Sequence, residues 1–146
     1  MLRRFDMVWR PTPDGRGVGR PNCDTPAMPD TPAPAPEHWD VRCPGGDVAV
    51  LTIPPDARRD RRFEITCRFV VARRGDEPAT HAMTVEVDGL HEWTREAETE
   101  NPGHSDSLDY HFRRDLPAGQ DLRIVAKTDV DGAQRIDLSI EAEETP

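Results

Sequence analysis

Apolar and polar residues alternate with a period of two along most of the chain after residue 46. The segment 62–72 is the clearest case, because every second residue from Phe63 to Val71 is apolar and most residues between them are polar. Successive side chains of a β-strand point to opposite faces, so this pattern predicts a strand with one buried face and one solvent face.

Six further segments have a similar alternation or a short apolar run. They are residues 47–53, 80–88, 90–97, 107–113, 121–128 and 135–143. The segment 47–53 is apolar on both faces, which predicts a central strand, and 90–97 has the weakest pattern. About seven strands spaced roughly 8–12 residues apart, with no amphipathic helix, are typical of an all-β fold. We therefore expect an antiparallel β-sandwich, either Ig-like or jelly-roll.

The same alternation predicts which side chains fill the core. The residues expected to face inward are Phe63, Ile65, Cys67, Phe69, Val71, Met83, Val85, Val87, Leu108, Tyr110, Phe112, Leu122, Ile124, Ala126, Ile136, Leu138, Ile140 and Ala142. Turn signals separate the predicted strands. Asp88-Gly89 is a strong one, because both residue types tolerate the positive φ angles of a two-residue hairpin turn.

The beginning of the chain differs in composition from the rest. Residues 1–55 contain 11 of the 15 prolines, and proline removes a backbone donor and favours extended backbone. We therefore divide the chain into a proline-rich extended arm or linker at 1–46 and a β-sandwich domain at 47–146. An arm would dock on a partner through its large apolar side chains, which are Phe5, Trp9 and Trp39. A linker would make no such contact.

The net charge of −9 lies entirely in the predicted domain. Residues 1–46 carry six basic and six acidic side chains, whereas residues 47–146 carry 13 basic and 22 acidic ones. Nucleic acids and anionic lipids attract lysine and arginine, so this balance argues against both classes of partner. The basic cluster at 58–62 is short and interrupted by Asp60, and we expect carboxylates as its counterions.

No apolar run resembles a signal peptide or a membrane span, so we expect a cytoplasmic protein, alone or as part of a larger particle. The three cysteines, Cys23, Cys43 and Cys67, are an odd number and argue against a disulfide framework. Cys67 belongs to the inward series of 62–72, which predicts a buried, unreactive thiol. Pairing of Cys23 with Cys43 stays open.

Histidines and carboxylates are concentrated between residues 91 and 112, where they suggest a metal site. The candidate ligands are His91, His104, Asp109 and His111, with Asp109 and His111 on one face of a predicted strand. Their spacing matches no zinc signature, and the polar edge of a hairpin explains them more simply. The acidic residues of the same region are candidate oxygen ligands for Ca²⁺.

A tryptophan in the same region suggests a carbohydrate site. Trp93 would stack on a sugar ring with Arg95 beside it, unless Trp93 belongs to the core. No serine lies in a nucleophile motif, and a small sandwich offers little room for a cleft with paired carboxylates. We therefore do not expect an enzyme.

Two functional hypotheses follow from these patterns. The first is a non-catalytic interaction or assembly protein, whose arm adds to a sheet edge of a neighbouring subunit or of another protein. It needs no cofactor. The second is a carbohydrate-binding or metal-binding module that uses the region 89–107, with Ca²⁺ or Zn²⁺ as the ion.

Overall fold

The structure is a computed structural model that describes residues 35–100 and 105–146. These residues form eight β-strands and no helix. The strands are β1 (His38–Arg42), β2 (Val48–Ile53), β3 (Arg61–Arg73), β4 (Thr80–Val87), β5 (Leu90–Glu98), β6 (Ser105–Leu116), β7 (Leu122–Asp131) and β8 (Ala133–Thr145). Within the described ranges, nothing helical has the length and apolarity that a membrane crossing needs. The candidate residues Phe5, Trp9 and His104 lie outside the described residues.

Two four-stranded antiparallel sheets pack face to face. The strand order is β1-β8-β3-β6 in the first, called sheet A, and β2-β7-β4-β5 in the second, called sheet B. Apolar residues from both sheets form one buried cluster between them. The prediction of an all-β antiparallel sandwich is therefore confirmed.

The seven predicted strands correspond to β2–β8, with ends that differ by three residues or fewer. One predicted position is wrong, because β2 is an edge strand of sheet B that, among the described strands, pairs only with β7. Its second face is still half-buried at Val48 and Val50. Apolar residues on both faces of a strand indicate that both faces are covered. They do not indicate whether one or two strands pair with it.

The core lies between the sheets, and the inward series of β3 is completely buried. Ile136 is an error of the sequence prediction, since its side chain is 43% exposed. The register between β3 and β8 shifts at this point, so that Val70 pairs with Asp137 and Val71 pairs with Arg135. Ile136 is the extra residue of a β-bulge, and the alternation of inward and outward side chains breaks there.

The first strand lies in the segment that the sequence assigns to the arm. β1 pairs along its length with β8, from His38 opposite Glu143 to Arg42 opposite Ser139. Trp39 is only 5% exposed and belongs to the buried core cluster, which contains residues of both sheets. The sandwich therefore includes residues 38–42, which the sequence assigns to the arm. Trp39, a predicted partner anchor, is a core residue of its own domain.

The predicted Asp88-Gly89 turn joins β4 to β5. Asp88 has a φ of 51° and Gly89 a φ of 81°, as a two-residue hairpin turn with two positive φ angles requires. Asp88 also binds β7, because its N–H donates to the carbonyl of Arg123 at 2.8 Å and its Oδ1 accepts the N–H of Arg123 at 3.0 Å. The turn is thereby joined to the start of β7, an interior strand of sheet B.

Candidate functional site

The structure does not bring the predicted metal ligands together. His91 lies on β5 in sheet B, where its Nε2 is 2.6 Å from a threonine hydroxyl. His111 lies on β6 in sheet A, with its Nδ1 3.0 Å from Thr66 Oγ1. Asp109 stands beside His111 on the solvent face of β6. Within the described residues, no group of metal-ligating side chains contains any of these three.

A different group of ligand-type side chains lies on the outer face of sheet A. His38 on β1 is 3.6 Å from Glu141 (Nε2 to Oε1) and 3.5 Å from Glu143 (Nδ1 to Oε1), both on β8. Asp40 Oδ1 is 3.8 Å from the same Nε2. We name these four residues the His38 cluster. The sequence signal for it is two pairs with i, i+2 spacing, about a hundred residues apart, and only strand pairing joins them.

Trp93, the candidate sugar-stacking residue, is half-buried where the edges of β5 and β6 meet. Its ring stacks on Tyr110, with 4.7 Å between centroids and 12° between planes. Tyr110 in turn stacks on Phe112 at 5.2 Å. One face of Trp93 is therefore covered by protein, while Arg95 further along β5 is exposed.

A β-bulge in β5 directs Glu92 toward this aromatic row. The register with β4 shifts between two pairs, since Val85 pairs with Trp93 and Glu86 pairs with His91. Glu92 is the extra residue between them. A β-bulge adds one residue to a strand, so a side chain can point to the face opposite to the one that regular alternation would give it.

Glu92 accepts hydrogen bonds from two side chains of β6. The hydroxyl of Tyr110 donates at 3.2 Å and Nη2 of Arg114 donates at 2.6 Å. Burial, with the hydrogen bond and charge of Glu92, raises the pKa of Tyr110, so the phenol stays a neutral donor. Glu92 is one of the acidic residues suggested as Ca²⁺ ligands, and both of its oxygens are already engaged here.

A buried histidine lies toward one end of the core. His81 is 1% exposed, its Nδ1 is 2.7 Å from Thr99 Oγ1, and its ring meets Phe69 edge-on at 6.4 Å. Burial lowers the pKa of His81, while the charge of Asp106 opposes this shift. In the described part of the chain its Nε2 has no hydrogen-bond partner. A neutral imidazole enclosed in this way is a structural group.

Three of the four arginines of the basic cluster at 58–62 pair with carboxylates of the same chain, as the sequence predicts for its counterions. The pairs are Arg59–Glu144, Arg61–Glu37 and Arg62–Asp115. The first two form one network beside the end of the sandwich, because Arg59 also approaches Glu37 at 3.7 Å. This network connects the residues before β1 with β3 and β8.

Among the described residues, Cys43 and Cys67 are buried thiols that form no disulfide, which confirms the burial predicted for Cys67. Cys23, the other member of the pairing left open with Cys43, lies outside the described residues. Burial raises the pKa of Cys67 to about 12. Burial and the negative charge of Asp137 raise the pKa of Cys43 as well. The thiolate is the reactive form of cysteine, so neither side chain is an activated nucleophile.

Comparisons with known proteins do not assign the chain to a family. No protein-family model matches the sequence, and a search of curated proteins found no significant match. Among solved structures, the chain is similar to dimeric latent PorU from Porphyromonas gingivalis, with a TM-score of 0.43 and 10% sequence identity. The similarity covers 74% of this chain and 13% of PorU, so the chain spans a small part of that protein's length. A likeness of this extent carries no inference about function.

Proposed function

We propose that this chain is a non-catalytic β-sandwich that functions by binding another protein chain. The binding elements in this proposal are the sheet edges and the proline-rich segment that precedes β1. The observation that carries it is β6, a strand of 12 residues at the edge of sheet A. β6 pairs with β3 on one side, and no strand of the described ranges pairs with its other side. Such an edge presents backbone donors and acceptors to a further strand.

The side chains of this edge favour a selective partner. The solvent face of β6 carries charges of both signs, including Asp109 and Arg113, and the neighbouring edge strand β5 is bulged. Charged and bulged edges oppose indiscriminate pairing between strands. A partner strand must therefore accommodate these charged side chains, which limits the strands that can pair here.

The preceding segment fits the role of the added strand. Proline lacks a backbone donor and is tolerated at a sheet edge, where one side of a strand faces solvent. Phe5 and Trp9 provide apolar side chains for pockets beside such an edge. Trp39 has a different part in this proposal. It holds the start of β1, which follows this segment in the sequence, in the core of the sandwich.

We further infer jelly-roll connectivity within the sandwich. The orders β1-β8-β3-β6 and β2-β7-β4-β5 agree with the two Greek keys of an eight-stranded jelly roll. This architecture includes capsid domains and lectin domains. It is therefore compatible with the assembly hypothesis and with the carbohydrate-binding alternative, and it favours neither.

The carbohydrate alternative has less support from the geometry. A sugar platform needs an open aromatic face, and one face of Trp93 is covered by Tyr110. The charged groups beside this row, Glu92 and Arg114, bond to each other at 2.6 Å rather than pointing to an empty pocket. We therefore retain protein binding as the proposed function.

The test compares the mass in solution of the full chain with that of a chain truncated to residues 35–146. The truncation begins at 35 because β1 and Trp39 belong to the sandwich. We expect an oligomer for the full chain and a monomer of equal thermal stability for the truncated chain, by light scattering after gel filtration. A full-length variant with Phe5→Ser and Trp9→Ser should behave like the truncated chain. If the full chain is a monomer and a peptide of residues 1–34 does not bind the truncated chain, docking on a second copy is wrong.

A further inference from the structure

We propose that His38, Glu141 and Glu143 form a binding site for a divalent transition metal ion such as Zn²⁺. The site lies on the outer face of sheet A, away from the edges of β5 and β6. It goes beyond the proposed protein-binding function and does not depend on it.

Strand register places these three residues on one rigid surface. His38 lies directly opposite Glu143 in the ladder between β1 and β8, and Asp40 lies directly opposite Glu141. Residues two apart on a strand share a face, so all four side chains point to the same side of the sheet. The Trp39 side chain between His38 and Asp40 is buried on the opposite face, which holds β1 in this orientation.

The side chains lie near enough for one ion to contact all three. One ligand atom from each of the three residues lies within 4.8 Å of the other two. In the structure Nε2 of His38 is 3.6 Å from Glu141 Oε1, and Nδ1 is 3.5 Å from Glu143 Oε1. An ion takes only one of these two ring nitrogens. Ligands that bind Zn²⁺ tetrahedrally at about 2.1 Å are separated by about 3.4 Å. Ion binding therefore requires the ligand atoms to approach one another by up to about 1.4 Å and one glutamate to turn from the other ring nitrogen, which exposed glutamate side chains do by changing rotamer.

The charges around His38 also favour the binding of a cation. Other carboxylates on the outer face of sheet A pair with arginine. These pairs are Glu64–Arg113, Asp109–Arg68, Asp115–Arg62 and Asp137–Arg42. By contrast, Asp40, Glu141 and Glu143 share one imidazole and pair with no arginine or lysine of the described residues. A divalent ion would neutralise this excess of negative charge, and Asp40 would add to the attraction.

The ligand set indicates the class of ion. Imidazole nitrogen with carboxylate oxygens suits Zn²⁺ and its first-row neighbours, whereas Ca²⁺ and Mg²⁺ prefer oxygen ligands alone. The side chains of His38, Glu141 and Glu143 are 39%, 53% and 63% exposed. An exposed set of three leaves at least one coordination position for water or for a group from another molecule.

The simplest alternative is that His38 is only a protonated counterion for its carboxylates. A His38→Lys substitution separates the two roles. Lysine keeps a positive charge among the carboxylates and supplies no neutral imidazole. We expect His38→Lys to fold with unchanged stability in the absence of metal and to lose the metal site.

The experiment is a calorimetric titration of the full chain with Zn²⁺, repeated with Ca²⁺. We expect one Zn²⁺ per chain at this site, with affinity at least about tenfold weaker in His38→Ala and in Glu141→Gln, and no comparable binding of Ca²⁺. His111→Gln is the matched control, because His111 is also an exposed histidine on the outer face of sheet A. It should bind Zn²⁺ as the unaltered chain does. All these chains contain residues 1–34 and 101–104, so any Zn²⁺ that those segments bind contributes equally to every titration.

Three results would overturn the proposal. The first is equal Zn²⁺ binding by the unaltered chain and by His38→Ala. The second is loss of the ion in His111→Gln. The third is Zn²⁺ binding by His38→Lys with unchanged affinity, which would place the ion elsewhere. Circular dichroism of each variant confirms that the sandwich is intact, so a loss of binding cannot be mistaken for a loss of fold.

Discussion

Nη1 of Arg61 lies 2.6 Å from Oε2 of Glu37, and the Arg61 side chain is only 1% exposed. The same guanidinium donates from Nη2 to the carbonyl of Pro54 at 2.7 Å, and the indole of Trp39 donates to Glu37 Oε2 at 3.3 Å. The carboxylate of Glu37, the residue before β1, thus binds side chains of both β1 and β3. Glu144 on β8 joins the same group through Arg59.

This pair should contribute more to stability than the ion pairs on the open face of the sheet. Glu37→Ala leaves a buried guanidinium with one fewer partner, and we expect it to lower the free energy of unfolding by about 1–3 kcal/mol. Glu64→Ala removes a more exposed pair with Arg113 and should cost at most about 1 kcal/mol. Urea denaturation of both variants measures the difference. Equal losses would show that the burial of Arg61 is unimportant.

Trp39 should behave as a core residue. Trp39→Ala is expected to lower the free energy of unfolding by about 3–5 kcal/mol, as large-to-small substitutions of buried aromatic residues do. Trp39→Phe, which keeps most of the apolar volume, should cost much less. The measurement is again urea denaturation, combined with light scattering. A Trp39→Ala chain of unchanged stability but altered oligomeric mass would restore Trp39 as a partner anchor.

The buried His81 should make the protein less stable in mild acid. Its pKa in the folded state is lowered from 6.5 by burial, against the opposing charge of Asp106. Below pH 6.5 the unfolded chain therefore takes up a proton before the folded chain does, and stability present above 6.5 is lost as the pH falls through the folded pKa. His81→Gln removes this titration.

The prediction is tested by measuring the denaturation midpoint at several pH values from about 5 to about 8, an interval that contains the ordinary pKa of histidine. The unaltered chain should lose more stability than His81→Gln over this interval. His111→Gln, which changes an exposed histidine, should follow the unaltered chain. Parallel curves for all three chains would mean that His81 does not control the acid response.

The thiols of the sandwich should be unreactive until the chain unfolds. Burial raises the pKa of Cys67 to about 12, and the pKa of Cys43 is also raised. In a Cys23→Ser chain, which removes the remaining cysteine, we expect a thiol reagent such as DTNB to react with neither side chain in the native state and with both in guanidinium chloride. Rapid reaction in the native state would show that the core opens locally at one of them.

Most of the strands could be predicted from local pattern alone. Alternation in 62–72 identified β3 and its buried face, because the direction of each side chain along a strand depends on the backbone of that strand. The Asp88-Gly89 turn was predictable for a similar reason, since positive φ angles are a property of the residues themselves. These features need no knowledge of what lies on the neighbouring strand.

Features that arise from pairing between distant strands were not predictable in this way. β1 lies between Pro36 and Pro44, and although its residues alternate polar and apolar from His38 to Arg42, its place in sheet A is set by its ladder with β8. Ile136 left the core because the register with β3 shifts beside it. The edge position of β2 likewise follows from sheet order, which apolar content does not specify.

The candidate site follows the same division. Composition and alternation established an acidic all-β domain, because burial of apolar faces is decided residue by residue along the chain. The dense histidines and carboxylates of 91–112 suggested a site, yet His91 lies on β5 in sheet B and His111 on β6 in sheet A. The grouping of His38 with Glu141 depends on the antiparallel register of the first and last strands. Tertiary structure alone decides that grouping, because hydrogen-bonded pairing can bring any two distant segments to about 5 Å, and no local spacing records it.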